Sequence, residues 1–441
     1  MSDDHNKDRD RMRGKKHLKT TKEISSIVKQ YYAERSESGK KPGRKVAWCG
    51  VAVPKQPLQA MDILAYYPEQ YGTVVSTRGD PDRFLKRAEA FGLAPEMCGY
   101  ARITIGYILE GLPEDAPLGG MSRPDMLITT TAVCDTRVKW WELMGQLLDV
   151  PVYVMEFPDL PPIGRDGARV GISELGTSGH QISREDMPYV GTYALKNYIG
   201  LTKFLEKICG KPMDQEKLAK SSKSSGGVGR IRREINEYRK AIPTPMGSAD
   251  AFAAMFPGQY MPGTDVADDF YRRLRIEVRE RMDKKIGIVA EEKFRLLWSG
   301  IPFWYNMGLI NYFEKKGGVV VIDTQYGSSA LSTGNENRDP KKWGMNAYVG
   351  TVMKALVDYN CDGAILSYTP TCRALYINQM EIKNTLMEEL DAPSLLLESD
   401  MVDPSSFSEA QTMARVDAFI ELLIDKAAQR KWKPSKVMLP D

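Results

Sequence analysis

The chain has 441 residues, 42% of them hydrophobic and 27% charged, and its net charge of +3 owes much to the basic first twenty residues. This composition suits two or three globular domains with a sizeable core, and the near-balance of charge excludes an extended nucleic-acid-binding surface. No run approaches the roughly 20 apolar residues that span a bilayer, and the start, MSDDHNKDRDRMRGKKHLKT, lacks the apolar stretch of a secretion signal. A cytoplasmic protein without membrane attachment is expected.

Residues 1–20 read as a mobile charged arm, after which Ile24, Ile27, Val28, Tyr31 and Tyr32 recur at helical spacing. The folded body is expected to begin near Lys41. RKVAWCGVAVP reads as a buried strand, PLQAMDILAYY as a helix, GTVVST as a strand and PDRFLKRAEAFG as a helix ending at glycine. DMLITTTAVC is a further buried strand, DTRVKWWELMGQLL a helix and PVYVMEFP a strand. Segments 190–209 and 230–241 have helical character, and SSKSSGGVGR between them reads as a flexible polar connection.

A second alternating region follows, with strands in EKFRLLWSGIPFW, KKGGVVVIDTQYG, NCDGAILSYTPTC and PSLLLESD. Its last helix opens on Ser408 and Gln411 at capping-box spacing and repeats Met413, Val416, Ile420, Leu423, Ile424 and Ala427 on one face. The expected fold is α/β: two Rossmann-like lobes with parallel sheets, over 41–190 and 291–441, joined by a helical bridge over 191–290 and preceded by an arm and helix over 1–40. RKVAWCGVAVP and EKFRLLWSGIPFW each set a basic start before an apolar strand, a glycine and a proline. A duplicated lobe accounts for this, and so does coincidence between two common strand–turn–helix units.

Chemistry centres on cysteine. Only three histidines occur, two of them, His5 and His17, in the arm and the third at His180, so a histidine-rich metal site is excluded. The six cysteines are scattered through a large chain, which argues for reduced thiols. Cys98, Cys134 and Cys372 each fall at a strand-to-helix or loop-to-helix junction, where helix dipoles favour the thiolate that binds metal. In an open α/β sheet, such strand ends are where ligands collect, so residues distant in sequence can converge there. Three thiolates could hold three irons of a cubane and leave the fourth open. Cys49, Cys209 and Cys361 read as packing residues. Spacing alone leaves buried or incidental cysteines as the commoner explanation, since no CxxC pair occurs.

GGVGR lacks the GK[ST] ending of a phosphate loop, and no GxGxxG, GxSxG or HExxH is present. Any ATP used in the reaction is therefore expected on another subunit.

APEMCGYARITIG, DMLITTTAVCDTR, EKFRLLWSGIPFW, CDGAILSYTPTCR and APSLLLESDMVDPSSFSEAQTMARVDAFIELL, in this order, resemble the family of 2-hydroxyacyl-CoA dehydratase subunits and benzoyl-CoA reductase core subunits. Length and the charged start look most like the larger non-ATPase core subunit of ATP-dependent benzoyl-CoA reductase. The resemblance implies a [4Fe-4S] cluster on Cys98, Cys134 and Cys372. It further implies a companion cluster-carrying core subunit, two ATPase electron-activating subunits, reduced ferredoxin as upstream donor, and an aromatic acyl-CoA whose ring is reduced to a cyclic dienoyl-CoA. The alternatives are a dehydratase subunit, in which one electron is recycled as water leaves, and a noncatalytic electron-transfer subunit.

Ser299, Gly300, Trp304 and Asn306, in WSGIPFWYN, are candidates to line the acyl-CoA pocket because they follow a strand; a packed turn explains them as well. Glu398 and Asp400 could serve a proton path, or could cap a turn. No residue is singled out as the catalytic acid or base.

Overall fold

The computed structural model describes residues 14–39, 43–79, 81–132, 134–156, 187–327 and 347–429, together with Met12 and Lys41. His5, His180 and Ala427's side chain lie outside the described residues. The chain forms two compact units. One comprises Ser26–Gly226 and Gln259–Thr264, and the other Met1–Ser25, Gly227–Gly258 and Asp265–Asp441. They are called the first and second units below, after the order of their sheets.

Of the arm expected over 1–20, residues 1–11 and 13 lie outside the described residues, and the stretch from Gly14 is held. Backbone N–H groups of His17 and Leu18 donate to the buried Asp250 carboxylate at 3.1 Å, and Lys15 N–H donates to Asn311 Oδ1 at 2.6 Å. Leu18 and Thr21 are fully buried. The charged composition hid this docking because the contacts are made by the backbone, whose hydrogen-bonding needs do not depend on side-chain polarity. Helix α1 (Lys19–Lys22) continues the strap, and α2 (Ile24–Gly39) buries Ile24, Val28, Tyr31 and Tyr32.

In the first unit, β1 (Val46–Cys49), β2 (Leu64–Tyr66), β3 (Met126–Thr130) and β4 (Val152–Met155) form a parallel sheet in the order β2-β1-β3-β4. β1 and β3 are buried along their whole length, which is why both read as unbroken apolar runs. Between β1 and β2, α3 (Gln56–Ala60) takes in only the first four residues of the expected helix PLQAMDILAYY, and LAY supplies the strand beside β1. GTVVST is not a strand but part of α4 (Pro68–Arg78). Pro68 starts that helix with φ already suitable, and Glu69 adds a favourable first-turn charge. Val74 and Val75 satisfy the apolar requirement of its buried face. α5 (Asp82–Phe91) ends, as expected, at Gly92 in the left-handed conformation with φ 111°. α6 (Gly99–Leu109), α7 (Asp135–Leu148) and α8 (Met187–Cys209) complete this unit's longer helices.

SSKSSGGVGR is helical, within α9 (Gln215–Tyr238). Its glycines cost about 1 kcal/mol each relative to alanine. Local and tertiary anchors offset them: Ser222 Oγ donates to Leu218 O at 2.8 Å, Gln56 Nε2 to Ser225 Oγ at 3.1 Å, and Val228 and Ile235 are buried. α10 (Ser248–Tyr260) and α11 (Asp265–Asp283) follow. None of the described helices is long and apolar enough to cross a membrane.

The second unit repeats the topology of the first. β5 (Phe294–Ser299), β6 (Gly318–Asp323), β7 (Gly363–Tyr368) and β8 (Ser394–Glu398) are parallel in the order β6-β5-β7-β8. Each sheet thus runs second, first, third, fourth strand, with its order reversing between first and third. β5 carries a fully buried Arg295, paired with Glu292 at 2.7 Å and donating to the Tyr359 carbonyl at 3.0 Å, so its charge is compensated inside the core. α12 (Gly308–Lys315), α13 (Ala347–Asp358), α14 (Arg373–Tyr376), α15 (Gln379–Leu390) and α16 (Glu409–Gln429) flank these strands in sequence. α16 begins directly after Ser408 and buries Val416, Phe419, Ile420 and Leu423, whereas Ile424 is exposed.

Candidate metal centre at the strand ends

The reversal of strand order opens a crevice at the carboxyl ends of the first and third strands, the usual ligand position of open α/β sheets. In the first unit, Gly50 follows β1 and Cys134 stands four residues beyond β3, as the N-cap of α7. In the second, Gly300 follows β5 and Cys372 stands four residues beyond β7, as the N-cap of α14. Two of the three cysteines singled out from sequence therefore occupy the same place in each unit. Cys98 is the N-cap of α6, and all three are half-buried thiols outside any disulfide.

Around Cys134 the crevice is lined by the buried polar side chains Glu69, Thr129 and Arg137. Arg137 Nη2 lies 2.6 Å from Glu69 Oε1, and both side chains are less than 10% exposed. The approach is an ion pair without an aligned hydrogen bond. Among the described residues, Arg137 Nε and Nη1, both Glu69 carboxylate oxygens and Thr129 Oγ1 have no hydrogen-bond partner. Gly50 leaves the room: a Cβ there would stand 3.1 Å from Thr129 Oγ1 and 3.7 Å from Arg137 Nε. Burial pushes the Cys134 thiol up, opposed by the Arg137 guanidinium and its nearby backbone N–H. Lys55, a half-buried residue whose ammonium donates to the Val51 carbonyl, is lowered to about 8, mainly by burial.

The turn carrying Cys98 is pinned by Arg102, fully buried, whose Nε donates to the Met97 carbonyl at 3.1 Å and whose Nη1 pairs with Glu89 at 2.8 Å. Cys49 and Cys361 are buried, and burial pushes the Cys49 thiol well up, as suits inert packing residues. Cys209 is half-buried on α8.

At the second unit's strand ends, Ser299 is fully buried, with its Oγ 3.2 Å from Tyr348 Oη and 3.3 Å from Thr324 Oγ1. Tyr348 Oη and Thr324 Oγ1 are themselves 3.3 Å apart. Burial is the main cause of the raised Tyr348 pKa, and the nearby Cys372 adds to it. Gly300 adopts φ +95°, and a Cβ there would meet the Ser367 carbonyl at 2.7 Å. Gln379 is fully buried, and among the described residues neither amide atom has a hydrogen-bond partner.

Trp304 is 6% exposed and packs against Phe252 and Tyr326, with centroids 6.0 and 5.8 Å away, as part of the core. Asn306 closes a short 3-10 turn over Trp304–Asn306 and is partly exposed. Asp400 caps a turn, accepting from Val402 N–H at 2.8 Å and Asp403 N–H at 2.9 Å, and also bonds Thr371 beside Cys372; Glu398 is exposed.

Within neither unit do three or more His, Cys, Asp or Glu side chains of the described residues gather closely enough to hold a metal ion. Cys98 and Cys134 belong to the first unit and Cys372 to the second. The donor set nevertheless fits a sulfur-rich metal group: thiols at helix starts, and buried polar groups beside two of them with unused hydrogen-bonding capacity. Sequence reasoning missed Lys55, Glu69, Arg137, Tyr348 and Gln379. Arg137 carries the only local signal, one helical turn after Cys134; the others reach the strand ends through tertiary packing.

Residues 50–423 match the family described as 2-hydroxyglutaryl-CoA dehydratase, D-component. The chain belongs to this family. Among its relatives, the (R)-phenyllactyl-CoA dehydratase alpha subunit of Clostridium sporogenes is 25% identical, over 88% of this chain and 91% of that protein. The (R)-2-hydroxyisocaproyl-CoA dehydratase alpha subunit of Clostridioides difficile is 23% identical, over 91% and 96%. A benzoyl-CoA reductase subunit of Thauera aromatica is also 23% identical, over 92% and 97%. Likeness to the benzoyl-CoA reductase subunit is no stronger than likeness to these dehydratase subunits.

Proposed function

We propose that this chain is a cluster-bearing core subunit of a 2-hydroxyacyl-CoA dehydratase. The observation that carries the reading is the repeated placement of Cys134 and Cys372, each starting a helix four residues beyond the third strand of its sheet. Cys98, Cys134 and Cys372 are the thiolates of a [4Fe-4S] cluster. When bound, it supplies one low-potential electron and an iron position without a cysteine ligand.

The chain's own residues provide the rest. Dehydration removes the C2 hydroxyl and a C3 proton as water, so the net change is redox-neutral. A proton must reach the departing oxygen and another must leave C3. The Tyr348 hydroxyl, linked to Ser299 and Thr324, is suited to hold one of these protons. Ser299 and Thr324 beside it are buried, which limits the access of bulk water. Ser299 and Gly300 border the acyl-CoA, whereas Trp304 supports their loop from the core. A companion core subunit, ATP-hydrolysing activator subunits and reduced ferredoxin complete the system in the cytoplasm.

Benzoyl-CoA reduction is the second reading, favoured by the full-length match to the Thauera aromatica benzoyl-CoA reductase chain. Anaerobic co-expression with the companion and activator subunits, followed by assays on a 2-hydroxyacyl-CoA and on benzoyl-CoA, separates the two. Enoyl-CoA formed over many turnovers per electron supplied supports the dehydratase. Dienoyl-CoA formed with two electrons per product establishes the reductase instead.

A further inference from the structure

Arg137 lies on α7 one turn beyond Cys134, 5% exposed, with Nη2 against Glu69 and with Nε and Nη1 lacking a partner among the described residues. An unsatisfied buried donor costs roughly 1–3 kcal/mol, more for a charged group. Its position is enforced from two sides: Glu69 holds one nitrogen, and Gly50 clears the space that a Cβ would take 3.4 Å from Arg137 Cδ. Arg137 meets Glu69 through Nη2 alone, and the other charges near Cys134 are Asp135 and, bonded to the Val51 carbonyl, Lys55.

We infer that Arg137 is a positioning residue for the anionic sulfur group at Cys134, donating N–H hydrogen bonds to its sulfur atoms and thereby raising its reduction potential. The inference rests on the cluster reading above. Thiolate and sulfide sulfurs accept hydrogen bonds but donate none, which matches an all-donor guanidinium. Hydrogen bonds and positive charge near the sulfurs favour the reduced, more negative state. Glu69 opposes this with its own charge while it orients the guanidinium. The corresponding position in the second unit, three residues beyond Cys372, is Leu375, which has no side-chain donor.

The test uses the full chain in complex with its companion subunit, reconstituted anaerobically with iron and sulfide. Iron per chain and the midpoint potential, from a redox titration followed by electron paramagnetic resonance, are measured for Arg137→Met, Arg137→Lys and Glu69→Gln. With iron retained, Arg137→Met is expected to lower the reduced-to-oxidised ratio at fixed potential about tenfold, equivalent to about 59 mV for a one-electron couple. Arg137→Lys, keeping charge without the planar donors, should shift it less, and Glu69→Gln should shift it the opposite way. Should Arg137→Met fail to fold, the other two variants carry the same test through their opposite signs. Unchanged potentials with full iron content overturn the role of Arg137. A wild-type complex that takes up no iron overturns the cysteine reading itself, and this inference with it.

Discussion

Nε2 of Gln379 lies 3.6 Å from the point where a Cβ on Gly300 would stand. The glycine is required there twice over, by φ +95° and by the Ser367 carbonyl at 2.7 Å from the same point. Gly300→Ala should therefore destabilise the chain by about 1–3 kcal/mol, read as a lowered denaturant midpoint at unchanged slope. Gly92, with equal freedom at a helix end and open space around it, makes a control in which only the backbone term acts.

Gln379 itself is expected to contribute little to the stability of the metal-free chain. Both its amide atoms are buried without a partner among the described residues, so an apolar side chain of similar size leaves no hydrogen bond broken. Gln379→Met should fall within about 1 kcal/mol of the wild type, or above it. A loss of several kcal/mol in urea unfolding would reveal a buried water or a protein partner that the amide depends on.

Cys98→Ser, Cys134→Ser and Cys372→Ser should each reduce iron bound per chain after anaerobic reconstitution to a small fraction of wild type. Cys49→Ala and Cys361→Ala should retain the iron and lower the melting temperature, because both thiols are buried in the core. Iron binding that survives all three serine substitutions would remove the cluster from these residues.

The strap at the start of the second unit should make stability pH-dependent. His17 Nε2 lies 2.8 Å from Glu314 Oε2, and this contact raises the histidine pKa against the opposing effect of burial. A raised folded-state pKa means that the stabilisation is complete below the unfolded value of about 6.5 and is lost as pH rises through the folded value. Wild type minus His17→Asn should differ by about 1 kcal/mol at pH 5.5 and by little at pH 9, in parallel denaturant titrations. Equal differences at both pH values would show that the ring acts through packing alone.

The parallel α/β layout and most strands were legible because central strands are buried on both faces and stand out as apolar runs. GTVVST misled for the same reason: two valines on the buried face of a helix look like part of a strand when the proline and glutamate before them are not weighed. SSKSSGGVGR misled in the other direction, since its composition is that of a linker and its helical state depends on Gln56 and on packing far along the chain. At the candidate site, Cys134 and Cys372 were visible as junction cysteines. Glu69, Lys55 and Gln379 were not, because their neighbours come from other strands and helices and leave no local pattern.

During synthesis the strap is made long before the groups that hold it. Lys15 N–H bonds Asn311 Oδ1 across 296 residues of chain, and His17 and Leu18 bond Asp250. At about 5–20 residues per second, a ribosome takes roughly 15–60 seconds to make that interval. Throughout it the apolar Leu18 and the unpaired backbone of the strap are exposed on a nascent chain. The strap is therefore secured only once the segments carrying Asp250 and Asn311 have been made and folded.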